Sequence, residues 1–235
     1  MLKNPFSSLK KHEWILWIVS LITVTLSNLM TGNPEPLTFS GTLIGVTALI
    51  FVARGDVWGQ ILTVIFSILY GINSLTFHYY GEFITYVFMT LPSAAASIVT
   101  WLRHPYEKGH NEVKIHKLTP IQTASMIGLA IAVTAAFYFI LKYLNTANLV
   151  VSTVSITTSF LASYLLMYRN SYYALAYAAN DIVLIVLWIL ASIEKFSYFP
   201  MVICFVMFLV NDIYGFVSWQ RREKKQHFKI YDEYL

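Results

Sequence analysis

Two Asn-Asp dipeptides, Asn180-Asp181 and Asn211-Asp212, lie in the middle of long apolar runs, LAYAANDIVLIV and FVMFLVNDIYGFVSWQRR. No Lys or Arg stands within helical reach of the second pair. An acid in a bilayer-length apolar helix costs about 2.5 kcal/mol or more, so such residues face a bundle interior and mark a pathway or a site. Carboxylates and carboxamides can bond the hydroxyls and amides of a polar solute, and carboxylates also balance positive charge. The plainer alternative is a structural knot in which the Asn amides satisfy the acids. Helical spacing adds neighbours to both pairs. Tyr173, Tyr177, Asn180, Asp181, Leu184 and Trp188 share one broad face, and Phe208, Asn211, Asp212 and Gly215 share another. A third stripe carries Gln60, Thr63, Ser67, Tyr70 and Ser74, with Asn73 beside it. Its Ser and Thr residues read equally well as backbone-bonding glue between helices. Gln60 and Tyr70 are harder to account for that way, because their larger polar groups need partners away from water. Amides, acids and buried rings together suit a small, neutral-to-cationic, ring-bearing solute with hydroxyls.

The elements that must position these residues are membrane helices. The chain has 235 residues, is 57% hydrophobic and only 12% charged, with a mean hydropathy of +0.60. That composition excludes an ordinary soluble domain. Apolar runs long enough to cross about 30 Å of hydrocarbon recur to the end of the sequence, without the period-two alternation of barrel strands. Eight spans are expected, over 13–31, 37–53, 58–77, 82–101, 120–144, 148–168, 172–192 and 198–219. The first is read as a retained helix rather than a signal peptide, because no small-x-small cleavage pattern follows it. Loops are short except for 102–119, with Pro105, Gly109 and Pro120 as breakers. With the N-terminus inside, all of the 16 Lys and Arg residues except Lys142 and Lys195 fall on the inner side. This bias predicts that both termini are cytoplasmic. At about 1.5 Å per residue, Asp181 lies about 14 Å from interfacial Tyr172 and Asp212 about 10 Å from interfacial Trp219. On antiparallel helices both acids then reach a similar depth.

The spans repeat. Arg54-Gly-Asp-Val-Trp58 opens the third and Arg169-Asn-Ser-Tyr-Tyr173 opens the seventh; Trp101-Leu-Arg103 closes the fourth and Trp219-Gln-Arg221 closes the eighth. Spans two to four echo six to eight in the same orientation, with the fifth as connector, one of the repeat architectures of transporters. The expected units are 1–36 (N-terminus and extra helix), 37–103 (first repeat), 104–147 (loop and linker helix), 148–220 (second repeat) and 221–235 (basic tail). Other constellations carry less. His104, His110 and His116 share a loop without tight metal-ligand spacing. Glu82 is placed at a solvated outer rim, with gating as its functional reading. Pro92 interrupts the fourth span as a hinge or a tolerated kink. The lone Cys204 excludes an internal disulfide. No phosphate-cradling loop, nucleophile motif or paired catalytic base appears, so neither an enzyme, a cofactor nor a nucleic-acid partner is expected. A membrane enzyme or sensor using the acids for proton chemistry is the rival of a different class.

RGDVWGQILTVIFSILYG at 54–71, YYGEFITYV at 79–87, the Asn-Asp of the seventh span and NDIYGFVSWQRRE at 211–223 resemble the PnuC-type vitamin and nucleoside transporters. The resemblance spans about 37–223. It implies an all-α polytopic SWEET-like fold: two parallel three-helix bundles joined by a linker helix, here with an extra N-terminal transmembrane helix. It further implies a homotrimer in a bacterial cytoplasmic membrane, and facilitated diffusion of nicotinamide riboside trapped by intracellular phosphorylation for NAD biosynthesis. Thiamine, riboflavin and deoxynucleosides are the alternative cargoes. Nicotinamide riboside carriers of this family often have Trp-x-x-Trp early in the seventh span, where this chain reads Tyr173-Ala-Leu-Ala176. The expected site lies between the bundles. Asn211, Asp212, Asn180, Asp181 and Gln60 bond the sugar or amide there, and Tyr177, Trp188, Tyr70, Trp58 and Tyr173 frame the ring.

Overall fold

Eight helices follow from the eight apolar runs among the described residues. The computed structural model describes residues 3–32, 34–76, 80–107, 111–146 and 148–233. His110 and the first residue of the 79–87 stretch lie outside them. The helices are α1 (Lys11–Leu29), α2 (Pro36–Val52), α3 (Val57–Thr76), α4 (Tyr80–Arg103), α5 (Pro120–Tyr143), α6 (Leu149–Met167), α7 (Tyr173–Glu194) and α8 (Phe199–Glu233). Seven are long and apolar enough to cross a membrane. The other, α2, has 17 residues, about 25 Å of helix. Proline at the first helical position starts α2 and α5, where a missing N–H costs nothing. Thr119 and Gln122 form a capping box at the start of α5, satisfying two orphan donors.

Six helices close a ring. In order around it α2 packs on α3, α3 on α4, α4 on α6, α6 on α7, α7 on α8, and α8 returns to α2. The linker α5 packs on α6, and α1 lies in the seam between α2 and α8. Hydrocarbon offers no hydrophobic drive between helices, so small and polar residues make these contacts. Thr134 meets Thr157 at 2.7 Å between α5 and α6. Trp17 donates to Thr47 at 3.1 Å and Asn28 to Thr42 at 3.2 Å between α1 and α2. The α2–α3 hairpin is closer still: a Cβ at Gly59 would stand 2.4 Å from the Val52 backbone nitrogen.

Two features depart from the simple eight-span expectation. The last helix does not stop at 219 but runs on to Glu233. RREKKQHFKIYDE contains no Pro or Gly, so nothing in it breaks a helix. The buried Gln226 ties this extension to the long loop, accepting from Ile115 N–H at 2.9 Å and donating to the Val113 carbonyl at 3.2 Å. In the middle of α4, Tyr86–Thr90 form a π-turn just before Pro92. A wide turn here accommodates the proline, which cannot donate to the preceding carbonyl ladder.

Both chain ends meet at the basic end of the bundle. Arg54 and Glu13 form an ion pair at 2.5 Å, and Tyr214 donates to the other Glu13 oxygen at 2.8 Å. Asp56 caps α3 through the Trp58 N–H at 3.0 Å. Burial pushes the Asp56 carboxyl up from its ordinary value, opposed by bonds from Trp58 and Asn111 and by the charges of Arg54 and Arg222.

Gly59→Ala should lower stability by about 2 kcal/mol, because the methyl meets backbone that only a helix shift can clear; thermal unfolding of the purified protein measures it. Glu13→Ala should cost about 2 kcal/mol by leaving the half-buried Arg54 without its partner, and Glu13→Gln less.

Candidate functional site

The centre of the ring holds a small cavity, and all six ring helices contribute to its wall. From α7 come Tyr173, Tyr177, Asn180 and Asp181, and from α8 Phe208 and Asp212. Facing them are Gly45 and Ala48 of α2, Thr63 and Phe66 of α3, Tyr86 and Thr90 of α4, and Leu166 of α6. The glycine is required: a Cβ at position 45 would lie 2.6 Å from the Phe208 ring and 3.0 Å from the Phe66 ring. The cavity volume is about 50 Å³, room for about four water molecules and far below the roughly 300 Å³ of a typical small-molecule site.

Its polar groups are concentrated on α7 and α8. Asp181 and Asp212 are both buried and both line the cavity. Asp181 Oδ2 has no hydrogen-bond partner. The Asn180 carbonyl accepts from Thr158 at 2.7 Å and Ser159 at 3.0 Å, which leaves its NH₂ for the cavity. The Tyr177 hydroxyl is held by Ser163 at 3.1 Å. Thus α6 braces the chemistry of α7 through three hydroxyls.

Aromatic layers close the cavity at both ends. Toward the basic end, Trp219 and Tyr173 both donate to the Val52 carbonyl, at 2.9 and 3.3 Å. That carbonyl ends α2, and it also accepts from the Gly55 N–H at 2.8 Å. The two rings pack at 4.7 Å, and Trp101 stacks behind Trp219 at 5.7 Å. Toward the opposite end, Trp188 donates to the Tyr70 hydroxyl at 3.1 Å. Tyr70 lies 4.1 Å from Tyr86 and 5.9 Å from Phe205, ring to ring.

Measured against the sequence expectation, the structure brings Asn180, Asp181, Asp212, Tyr173 and Tyr177 together on one cavity. Tyr70 and Trp188 form its lid rather than its wall. Asn211 is a correction: its amide donates to Ser20 of α1 at 3.0 Å and to the Met207 carbonyl at 2.8 Å. On α8 it is Asp212 that lines the cavity, while Asn211 turns toward α1. Trp58 is another: its indole donates to the Lys3 carbonyl at 3.1 Å at the basic end, away from the cavity. Gln60 is fully buried with neither amide atom partnered, and it is absent from the cavity wall. Glu82 is not solvated. It is 2% exposed, accepts from Ser155 at 3.2 Å and lies beside the Tyr70 hydroxyl. Pro92 is exposed to the lipid side, while the π-turn before it places Tyr86 and Thr90 on the cavity.

Sequence reasoning missed Tyr86, Thr90 and Phe66, and the bracing hydroxyls of Thr158, Ser159 and Ser163. The last group had a signal. Ser152, Ser155, Ser159 and Ser163 recur at helical spacing, a polar stripe that must face protein in a lipid-spanning helix. The π-turn had only Pro92 to announce it.

Comparison with known proteins agrees with this architecture. A crystal structure of a protein described as the vitamin B3 transporter PnuC superimposes with a TM-score of 0.80 at 22% identity, over 93% of this chain and 94% of that one. It shares the fold. A Neisseria mucosa protein named nicotinamide riboside transporter PnuC is 24% identical over 217 residues, 90% of this chain and 81% of that protein. The model of a family described as nicotinamide mononucleotide transporter matches residues 35–221, from the start of α2 through the membrane part of α8. With most of its length matched by the family model, the chain belongs to the nicotinamide mononucleotide transporter family.

Proposed function

We propose that this protein carries nicotinamide riboside across the membrane by facilitated diffusion with alternating access, and that the central cavity is its binding site. The observation that supports this most is the convergence of Asp181, Asp212, Asn180 and Tyr177 on one buried space between α7, α8 and the first three ring helices. The cargo follows from that chemistry and from the name of the Neisseria mucosa relative. A riboside offers hydroxyls to the carboxyl pair and to the Asn180 amide. Its pyridinium ring is a cation, favoured beside acids and aromatic faces. Tyr177 takes the ring-facing place on α7, because Tyr173 is engaged by Val52 and Trp219.

A cavity of about 50 Å³ admits a riboside only if the helices separate. In this proposal the two three-helix halves, 37–103 and 148–220, move against each other. The Tyr173–Trp219 layer parts on one side and the Tyr70–Trp188 layer on the other. The basic end faces the cytoplasm of a bacterium, in keeping with the charge bias, and the assembly is a homotrimer, which the mass of the purified complex tests.

Uptake of labelled nicotinamide riboside into proteoliposomes is the deciding experiment, with thiamine, riboflavin and deoxynucleosides alongside. Nicotinamide riboside should equilibrate and not accumulate. Solute chemistry without movement would instead indicate an enzyme. Asn180→Ala should weaken riboside affinity about 10-fold, the loss of one buried hydrogen bond worth about 1.4 kcal/mol. Asn211→Ala should leave affinity within two-fold, and lower thermal stability by about 1 kcal/mol through its bond to Ser20. Equal affinity losses in both variants would remove the cavity from the mechanism. Trp188→Phe, which deletes the bond to Tyr70, should change the transport rate severalfold with little change in equilibrium affinity; an affinity loss with an unchanged rate would place Trp188 in the binding site instead.

A further inference from the structure

A second cavity, of about 280 Å³, opens at the basic end in the seam between α1 and α8. Its walls carry Lys10, Arg54, Arg221, Arg222 and Lys225, with His12 at the edge. Two acids reach it, and both are already committed. Glu13 is held by Arg54 and Tyr214, and Glu112 pairs with Arg222. These pairs fasten the walls to one another and neutralise two of the cations. Lys10, Arg221 and Lys225 keep exposed side chains with no acidic partner among the described residues. Three uncompensated cations from two parts of the chain, Lys10 ahead of α1 and Arg221 and Lys225 one turn apart on α8, converge on one concave space.

We propose that this cavity binds a phosphate group. A compact anion with several acceptor oxygens answers the ammonium groups and the guanidinium of Arg221, which can hold it with two parallel bonds. Two sources present that chemistry, a lipid headgroup and a soluble phosphate, and the surroundings favour the lipid. On α1, the face of His12 continues into exposed Ile15, Val19 and Ile22. On α8, the face of Arg221 continues into exposed Val217, Ile213 and Val210. Val217 also lines the cavity. A phosphate seated here therefore has an apolar track leading from it toward the bilayer centre along both helices. Basic pockets between membrane helices at the cation-rich surface are where anionic headgroups bind. The occupant bridges the extra N-terminal helix to the helix that carries Asp212.

The full-length protein is reconstituted in nanodiscs of phosphatidylcholine alone, and in nanodiscs with a fifth of the lipid replaced by phosphatidylglycerol. Inorganic pyrophosphate is titrated into the first set. The triple variant Lys10→Ala, Arg221→Ala, Lys225→Ala is compared with a control triple of exposed basic residues outside the cavity, Arg103→Ala, Lys114→Ala, Lys224→Ala. The expected result is a rise in the thermal midpoint of the wild type and of the control triple in the presence of the anion, lost in the cavity triple and fading as salt rises. Affinity should fall roughly five-fold per cation removed. A shift in the phosphatidylglycerol arm alone assigns the site to lipid, and a shift in the pyrophosphate arm alone assigns it to a soluble phosphate. No shift in either arm, or a shift that the two triple variants lose equally, overturns the site.

Discussion

A polar side chain within the hydrocarbon has no water to fall back on, and this constraint organises the molecule. Every amide, hydroxyl and carboxyl between the two interfaces needs a protein partner or a wet cavity. The ring arrangement meets that need. Ser, Thr and Asn side chains pair across almost every helix contact, as between Asn180 and the hydroxyls of α6 and between Asn211 and Ser20 of α1. Several buried polar atoms keep no partner, among them Asn211 Oδ1, Glu82 Oε2 and the hydroxyls of Ser74 and Ser97, and two such groups stand at or near the cavity. The free oxygen of Asp181 sits at the ring centre, and the bare amide of Gln60 lies one turn from Thr63 on α3, whose side chain is on the cavity wall. Unpaired groups in such a place are where a solute brings the missing partners.

The same constraint explains why the ends of the cavity are built as they are. Each closure is an aromatic layer with one or two indole or phenol donors aimed at a specific acceptor. At the basic end two side-chain donors join the Gly55 N–H on the Val52 carbonyl. At the opposite end Trp188 is tied to Tyr70, with Glu82 and Ser155 behind. Layers of this kind exclude water by area and hold position by a small number of bonds. They can therefore part without leaving many buried donors orphaned. The cavity between them is too small for a riboside, which is consistent with two gates closed on a contracted centre.

The helices were legible in the sequence because span length and charge bias are coarse signals that survive without packing detail. The same holds for Asp181, Asn180, Tyr173 and Tyr177, since helical spacing alone puts them on the inward face of α7. What escaped was rotation and local irregularity. Asn211 and Asp212 are adjacent in sequence, and no periodicity count decides which of two neighbours points to the ring and which to an extra helix outside it. That choice belongs to α1, whose Ser20 takes the amide. Glu82 was read as solvated because it begins a span, yet the neighbouring α6 covers it with Ser155. Tyr86 and Thr90 reach the cavity through a π-turn, a backbone event whose periodicity differs from the helical spacing used to read the sequence.

The unbroken length of α8 has a mechanical consequence. Asp212 and Gln226 lie on one continuous rod, about 21 Å apart along its axis. A tilt of about 10° pivoting at the acid swings the glutamine by roughly 4 Å over that arm, and the glutamine grips the strand-like segment around Val113. Any tilt of this rod at the acid would, by leverage alone, shift a surface loop well outside the bilayer.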